Sequence, residues 1–406
     1  MSNPTARVGR RPPVGFPLGA AVTLADLEGD PHPVLARLRA HEPVSWLPVL
    51  DGWLVTGYEL ALDVMRDART FTVDDPRFST ARVIGPSMLS LDGPEHARHR
   101  GPFVEPFYPA KVEERFAAFV RDETERLLSA LRPRGSADLR GEFAGPLAVG
   151  VVARALGVSG ADAATVLAWY AAIVGAVSDI TAGQPPRPEA ATAFTELGET
   201  VRAAASSRDG GAASLLADAA AHSTLTPAEI VSNAAVLLFG GIETTDAMIA
   251  NAVHHLLSDP GQLALVRDDP GLAADAVEES LRLEPAASVV DRYATRDVTL
   301  GGAGIRAGEL VRVSLAAANR DPAVFDEPDR FDLRRPNPRK QLAFARGPHF
   351  CPGAHLARMQ ARVAVNALIA KLPGLRMDPA PGSAEGPRGL VFRKPQTLRV
   401  AWDQPS

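Results

Sequence analysis

The sequence predicts a mainly α-helical fold with small β-sheets, and three observations predict it. From Ala110 to about Ala221 alanine and leucine recur with helical spacing. Breaks at Arg132-Pro133, Gly157 to Gly160, Gly183 to Pro188 and Gly210-Gly211 divide that stretch into four or five helices. Thr226-Pro227-Ala228-Glu229 is a capping box with proline at the first helical position. The helix it opens can run to Ser258, where Asp259-Pro260 ends it, a length of roughly 30 residues or about 45 Å. Strand-like runs, by contrast, are short and scattered.

Taken in order, residues 1–20 read as a proline-rich surface arm and 21–406 as one domain. The arm holds Arg7, Arg10 and Arg11 but no sustained apolar run, so it resembles neither a signal peptide nor a membrane anchor. Asp30 as N-cap and Pro31 at the first helical position start a helix. Val44 to Leu50 and Trp53 to Thr56 flank Asp51-Gly52, a hairpin signal. Tyr58 to Arg66 reads as helix and Phe71 to Leu91 as a loop-like, substrate-facing stretch. Pro94 starts a helix that puts His96 and Arg100 on one face. Beyond the long helix, strands are expected at Ala286 to Tyr293, Val298 to Leu300 and Leu310 to Val313, and a helix from Ala354 to Lys371.

Length alone would allow two or three domains among 406 residues. With 46% hydrophobic residues the chain can bury a substantial core. A net charge of -5 and a pI near 6.0 argue against nucleic acid as a partner. One cysteine excludes an internal disulfide framework and suits a reducing cytoplasm.

That cysteine, Cys351, lies in Phe344-Ala345-Arg346-Gly347-Pro348-His349-Phe350-Cys351-Pro352-Gly353, at the junction of a loop and a helix. There the helix dipole and unpaired backbone N–H groups favour thiolate, the metal-binding form. Gly347 and Gly353 let the backbone lie close to a flat cofactor, and Phe344 can screen the sulfur from water. Plainer readings stand beside this one. The residue can be a small buried hydrophobe. It can also belong to a zinc site with His349 and His355, although no second cysteine and no evident fourth ligand exist.

The long helix has an unusual middle, Val236-Leu237-Leu238-Phe239-Gly240-Gly241-Ile242-Glu243-Thr244-Thr245. Two glycines in a buried helix cost roughly 1 kcal/mol each relative to alanine. Either close helix packing or a ligand lying against the backbone would explain them. Glu243 is an acid in an apolar stretch, rare unless paired or functional. His96 with Arg100 can be a solvated basic face, and Glu279 with Arg282 an ordinary surface ion pair.

Together these motifs resemble the cytochrome P450 family. The match runs from about residue 30 to 400, with Ala345 where glycine is usual, Pro352 where an aliphatic residue is usual, and Gly240 where alanine is also common. The resemblance implies a P450 fold with its long central helix over the heme, here heme b (iron protoporphyrin IX), and Cys351 as iron ligand. His96, Arg100, Arg292 and His349 become propionate partners, and Gly240, Phe344 and Gly353 border the heme. Glu243 and Thr244 become the acid and alcohol that relay protons to bound dioxygen. Glu279, Arg282 and Arg330 match a buried structural network. Met88, Val236, Phe239, Ala287, Val290 and Phe392 are candidates for the substrate wall, which suits a small apolar organic molecule. The implied activity is monooxygenation with O2, most simply hydroxylation in secondary metabolism, by a cytoplasmic protein. Electrons would come from a ferredoxin and its reductase, with Arg98, Lys111, Arg346 and Arg358 as a docking patch. Alternatives are another oxidation (epoxidation, coupling, peroxide-driven) or a non-catalytic heme-binding protein.

Overall fold

The structure is a computed structural model that describes residues 15–158, 161–181, 184–206, 215–379 and 385–404. Residues 1–14 of the expected arm lie outside these, as do the breaks at Gly160, Gly183 and Gly210-Gly211. The described end of the arm is anchored. Pro17–Ala20 forms a helical turn, and the Glu42 carboxylate accepts the backbone N–H groups of Leu18 and Gly19 at 2.9 and 3.0 Å.

Helices Pro109–Leu131, Gly145–Leu156, Ala163–Thr181, Glu189–Ser206 and Leu215–His222 occupy the alanine-rich stretch. The central helix runs Pro227–Ser258, as its caps dictate: Glu229 N–H donates to Thr226 Oγ1 at 3.3 Å and Thr226 N–H to the Glu229 carboxylate at 2.7 Å. It packs against Gly145–Leu156, Ala273–Leu283 and Ala354–Lys371, which makes it the axis of the helical body. By length and apolarity it could cross a membrane, but 67% of its most apolar window is buried inside the protein. A core position explains that composition.

The principal sheet has five strands in the order Val44–Leu47, Gly52–Val55, Leu310–Ser314, Val289–Ala294, Phe71–Thr72. Its hairpin pairs Val44 with Val55, and Val290 stands opposite Val313. Three local readings shift. The helix His32–His41 begins one residue later than expected, with Pro31 at the cap position, while Asp30 Oδ1 still accepts the His32 N–H at 3.2 Å. Ser79–Ile84 forms a helix inside the stretch read as loop. The strand expected from Ala286 begins at Val289, while Ala287 makes an isolated bridge to Phe392.

The buried structural network needs a correction. Glu279 and Arg282 are fully buried and bidentate, at 2.8 and 2.9 Å. The second guanidinium on Glu279 is that of Arg335, at 2.9 Å, and not that of Arg330. Arg330 turns its side chain outward to Glu327 and contributes its backbone carbonyl, which accepts from both Arg282 and Arg335. With three charged side chains bonded this way, the loop after Asn319 is fastened to helix Ala273–Leu283.

Candidate active site

The cysteine loop is closed on itself. Cys351 N–H donates to Phe344 O at 2.9 Å, and Gly353 caps helix Ala354–Lys371. Gly347 has φ 74, and a Cβ there would run into the Met65 carbonyl, so only glycine fits. Ala345 also adopts the left-handed region, φ 56, which explains physically why glycine is usual at this position. Phe344 is buried, with the Arg358 guanidinium 4.4 Å above its ring. The Gly353 N–H bonds the sulfur, so Pro352 does not deprive the cysteine of its donor. Even so, burial pushes the Cys351 thiol up, outweighing the Gly353 amide and the nearby Arg100 and Arg358. The expected lowering is therefore absent from the protein's own groups; a metal ion would supply it by deprotonating the thiol outright.

Beside this loop stands a group of histidine and arginine side chains. His96 and Arg100 lie on helix Gly93–Arg100, and the Arg100 guanidinium donates to Phe350 O at 2.5 Å. The His96 ring centroid is 4.3 Å from that of His349, and its Nε2 is buried without a hydrogen-bond partner. Burial, then the charges of His349 and Arg100, lower the His96 pKa to about 4. Arg292 is 4% exposed and donates to its neighbour's carbonyl, Asp291 O, at 2.7 Å. Asp92 is the carboxylate at hand, 2.8 Å from His349 Nε2 and also accepting from Thr72 and Val73. Asp92 bonds His349, Thr72 and Val73, so neither Arg100 nor Arg292 has a carboxylate in hydrogen-bond contact. The orphaned His96 nitrogen and the buried Arg292 fit a ligand bearing two carboxylates, as heme does.

The central helix supplies the opposite wall. Within its middle, Val236, Leu237, Phe239, Gly240, Gly241 and Thr244 are only partly covered, and of these Val236, Gly240 and Thr244, spaced by four, lie on one face. Its two glycines serve different ends. A Cβ on Gly241 would collide with Val152, whereas one on Gly240 would meet nothing within 4 Å. The Thr244 hydroxyl donates to Gly240 O at 2.5 Å. Glu243 is buried and paired: Lys394 Nζ lies 2.9 Å from its carboxylate. Lys394 escaped the sequence reading. Its only local signal is a charged pair, Arg393-Lys394, directly after the apolar run Leu390-Val391-Phe392.

Of the residues expected to line the substrate space, Phe239 and Phe392 meet edge to face at 5.4 Å, and Ala287 bridges to Phe392. Val236 and Met88 share one apolar cluster, and Val290 packs on another, at the sheet. Met88 is itself buried, its N–H held by Asn233 Oδ1 at 2.8 Å. The zinc alternative loses its geometry. His355 lines a surface cleft of about 270 Å³ with Arg339, Arg358 and Arg362, and among the described residues no three His, Cys, Asp or Glu side chains converge for a metal. Each residue of the expected docking patch has a partner within the chain. Arg98 is tied to Glu95 and Glu229, Lys111 to Glu114, Arg346 to Gln341 O and Arg358 to Glu278.

Comparison with known proteins agrees with this geometry. Residues 272–385 match the family model for cytochrome P450. The chain is 37% identical over 396 residues to the cytochrome P450 monooxygenase PikC of Streptomyces venezuelae, covering 93% of this chain and 92% of that one. It is 36% identical to nocardicin C N-oxygenase of Nocardia uniformis subsp. tsuyamanensis, over 95% of this chain and 98% of the relative. The crystal structure of CalO2 superposes with a TM-score of 0.83 at 32% identity, covering 93% of this chain and 97% of that one. Similarity at this level along nearly the whole length places the chain in the cytochrome P450 family, as a heme-iron monooxygenase.

Proposed function

We propose that this protein binds heme b through Cys351 and inserts one oxygen atom of O2 into an apolar organic molecule, by hydroxylation of a bacterial secondary metabolite. The observation that carries the reading is the anion-poor set of buried His96, buried Arg292 and half-buried Arg100 beside the cysteine loop. Those three residues and His349 would hold the propionates, with Phe344 and Gly353 flanking the sulfur and Gly240 leaving room above it. When bound, heme supplies the oxidising power, while the protein decides which substrate bond it meets.

Thr244 and Glu243 handle protons. The Thr244 hydroxyl spends its hydrogen on Gly240 O and keeps its lone pairs free to accept another. Glu243 is the acid that brings protons to that side of the helix. Met88, Val236, Phe239, Ala287, Val290 and Phe392 give a wall with apolar side chains, which selects by shape. The relatives, a monooxygenase and an N-oxygenase from actinomycete sources, support a tailoring role in secondary metabolism. Electrons come from a ferredoxin and its reductase in the cytoplasm, and residues 21–406 act as one domain.

The test is the absorbance spectrum of the purified, reduced protein under carbon monoxide. A strongly red-shifted Soret band, lost in Cys351→Ala, is the expected result. A band at the position of histidine-ligated heme, or none after heme-replete expression, would overturn the assignment. Substrates can then be screened by the Soret shift they cause.

A further inference from the structure

The buried ring of His99 lies between a surface ion cluster and the segment that carries Met88. Its Nδ1 is 3.0 Å from Asn233 Nδ2, and its Nε2 is 3.4 Å from Glu229 Oε1 and 3.2 Å from Arg98 Nη2. His99 stands on helix Gly93–Arg100 between His96 and Arg100, yet it belongs to neither the heme-holding nor the proton-handling groups.

Which of these contacts are hydrogen bonds follows from the supply of hydrogens. Asn233 is fully buried, and its Oδ1 accepts the Met88 N–H at 2.8 Å. Its amide nitrogen therefore donates both of its hydrogens, one to Glu229 O at 2.8 Å and one to His99 Nδ1. Turning the amide over would set its NH2 against the Met88 N–H and its oxygen against the Glu229 carbonyl. His99 Nδ1 must then hold a lone pair, which puts the ring hydrogen on Nε2. On that side, the two hydrogens of Arg98 Nη2 go to Glu95 Oε2 at 2.7 Å and Glu229 Oε1 at 2.6 Å, so none is left for the ring. Arg98 and the Thr226 N–H hold the Glu229 carboxyl far below the usual carboxylate range, so its oxygens only accept, and the His99 Nε2–H faces one of them.

The far end of this relay is a closed turn. Ser90 N–H donates to Ser87 O at 3.0 Å and Ser87 N–H to Ser90 Oγ at 3.1 Å, with Met88 between them. Asn233 ties that turn to the central helix, so whatever orients the Asn233 amide also places Met88.

We propose that His99 is a positioning residue for substrate choice: as its Nε2–H tautomer it fixes the Asn233 amide and, through it, the Met88 part of the substrate wall. The idea rests on the place given to Met88 in that wall.

The tautomer is tested directly by nitrogen-15 NMR of histidine-labelled holoprotein in its reduced, carbon monoxide-bound, diamagnetic state. The His99 signals are those lost in a His99 variant. A hydrogen coupled to Nε2 and a lone-pair shift at Nδ1 are expected, and a hydrogen on Nδ1 overturns the proposal.

Specificity is read with two azoles that bind heme iron and shift the Soret band: imidazole, which stays near the iron, and 4-phenylimidazole, whose phenyl ring must reach the wall. His99→Leu keeps most of the volume but has no acceptor, whereas His99→Asn loses volume but sets an amide oxygen near the Nδ1 position. His99→Leu should weaken 4-phenylimidazole relative to imidazole about fivefold, the worth of one buried hydrogen bond, and His99→Asn should restore the ratio. A ratio that falls equally in both variants, or holds in His99→Leu, means that His99 acts through packing alone and refutes the positioning role. Met88→Ala separates this from its premise. If that variant binds 4-phenylimidazole as the wild type does, the place of Met88 in the wall fails first; if it does not, and His99→Leu is silent, only the role of His99 fails.

Discussion

Within the cysteine loop, two residues show how one torsion angle decides what a position tolerates. Ala345 carries a side chain at φ 56 and Gly347 has φ 74. A left-handed residue with a Cβ costs roughly 1–2 kcal/mol, against roughly 0.5–1 kcal/mol for the extra freedom of glycine in the unfolded chain. Ala345→Gly should therefore stabilise the protein by about 0.5 kcal/mol, read as a higher urea midpoint. Gly347→Ala meets both the torsion and the Met65 carbonyl, and a loss of about 2 kcal/mol or more is expected. Equal midpoints for the two variants would refute the torsional account. The sequence shows which residues stand here but not their φ. Nor does it show that burial, and not the helix dipole, dominates the Cys351 thiol.

Elements bounded by local chemistry were legible. The central helix and Ala354–Lys371 have the limits that their sequences dictate, since caps and proline stops act within a few residues. Contacts that depend on the path of a loop were not legible. Whether Arg330 or Arg335 reaches Glu279 turns on the course of the chain past Glu327, itself at φ 43. The Lys394–Asp246 contact joins residues 148 apart. A further long-range tie fixes the segment from Ile84 to Met88 to the central helix. Ser232 Oγ donates to Ile84 O at 2.6 Å, Asn233 Oδ1 accepts from Met88 N–H at 2.8 Å, and Asn233 Nδ2 lies 3.0 Å from His99 Nδ1. Asn233→Ala leaves the buried Met88 N–H without its partner, worth about 1–3 kcal/mol. It should lower the urea midpoint and flatten the difference in Soret titration affinity between good and poor substrates. A variant that loses stability but keeps its discrimination would show that the tie serves folding alone.

Over the whole molecule, the buried titratable groups set a direction for acid stability. Burial, then the neighbouring His254, pushes His255 down to about 3, from 6.5 in the unfolded chain. Between those values the unfolded state binds a proton that the folded state refuses, so stability falls as pH drops from 6.5. Glu284 acts lower down. Burial would raise it, but His32, Arg393 and Arg320 bring it to about 2 from 4.5, so its contribution is complete above pH 4.5 and lost below. Urea midpoints of the holoprotein should decline from pH 6.5 downward, and His255→Gln should flatten the upper part of the decline. A level profile in the wild type across that window would contradict the assignment. The last-made residues of the fold also matter to its timing. Arg393 clasps Glu284 and the backbone at Leu27 and Gly29, Lys394 reaches the central helix, and Arg399–Ala401 pairs with Ser136–Asp138. A growing chain on the ribosome can form its early helices, but it has no finished pocket until residue 401 has been made. Prematurely terminated copies would thus lack a complete cradle and leave the cell's heme to full-length molecules.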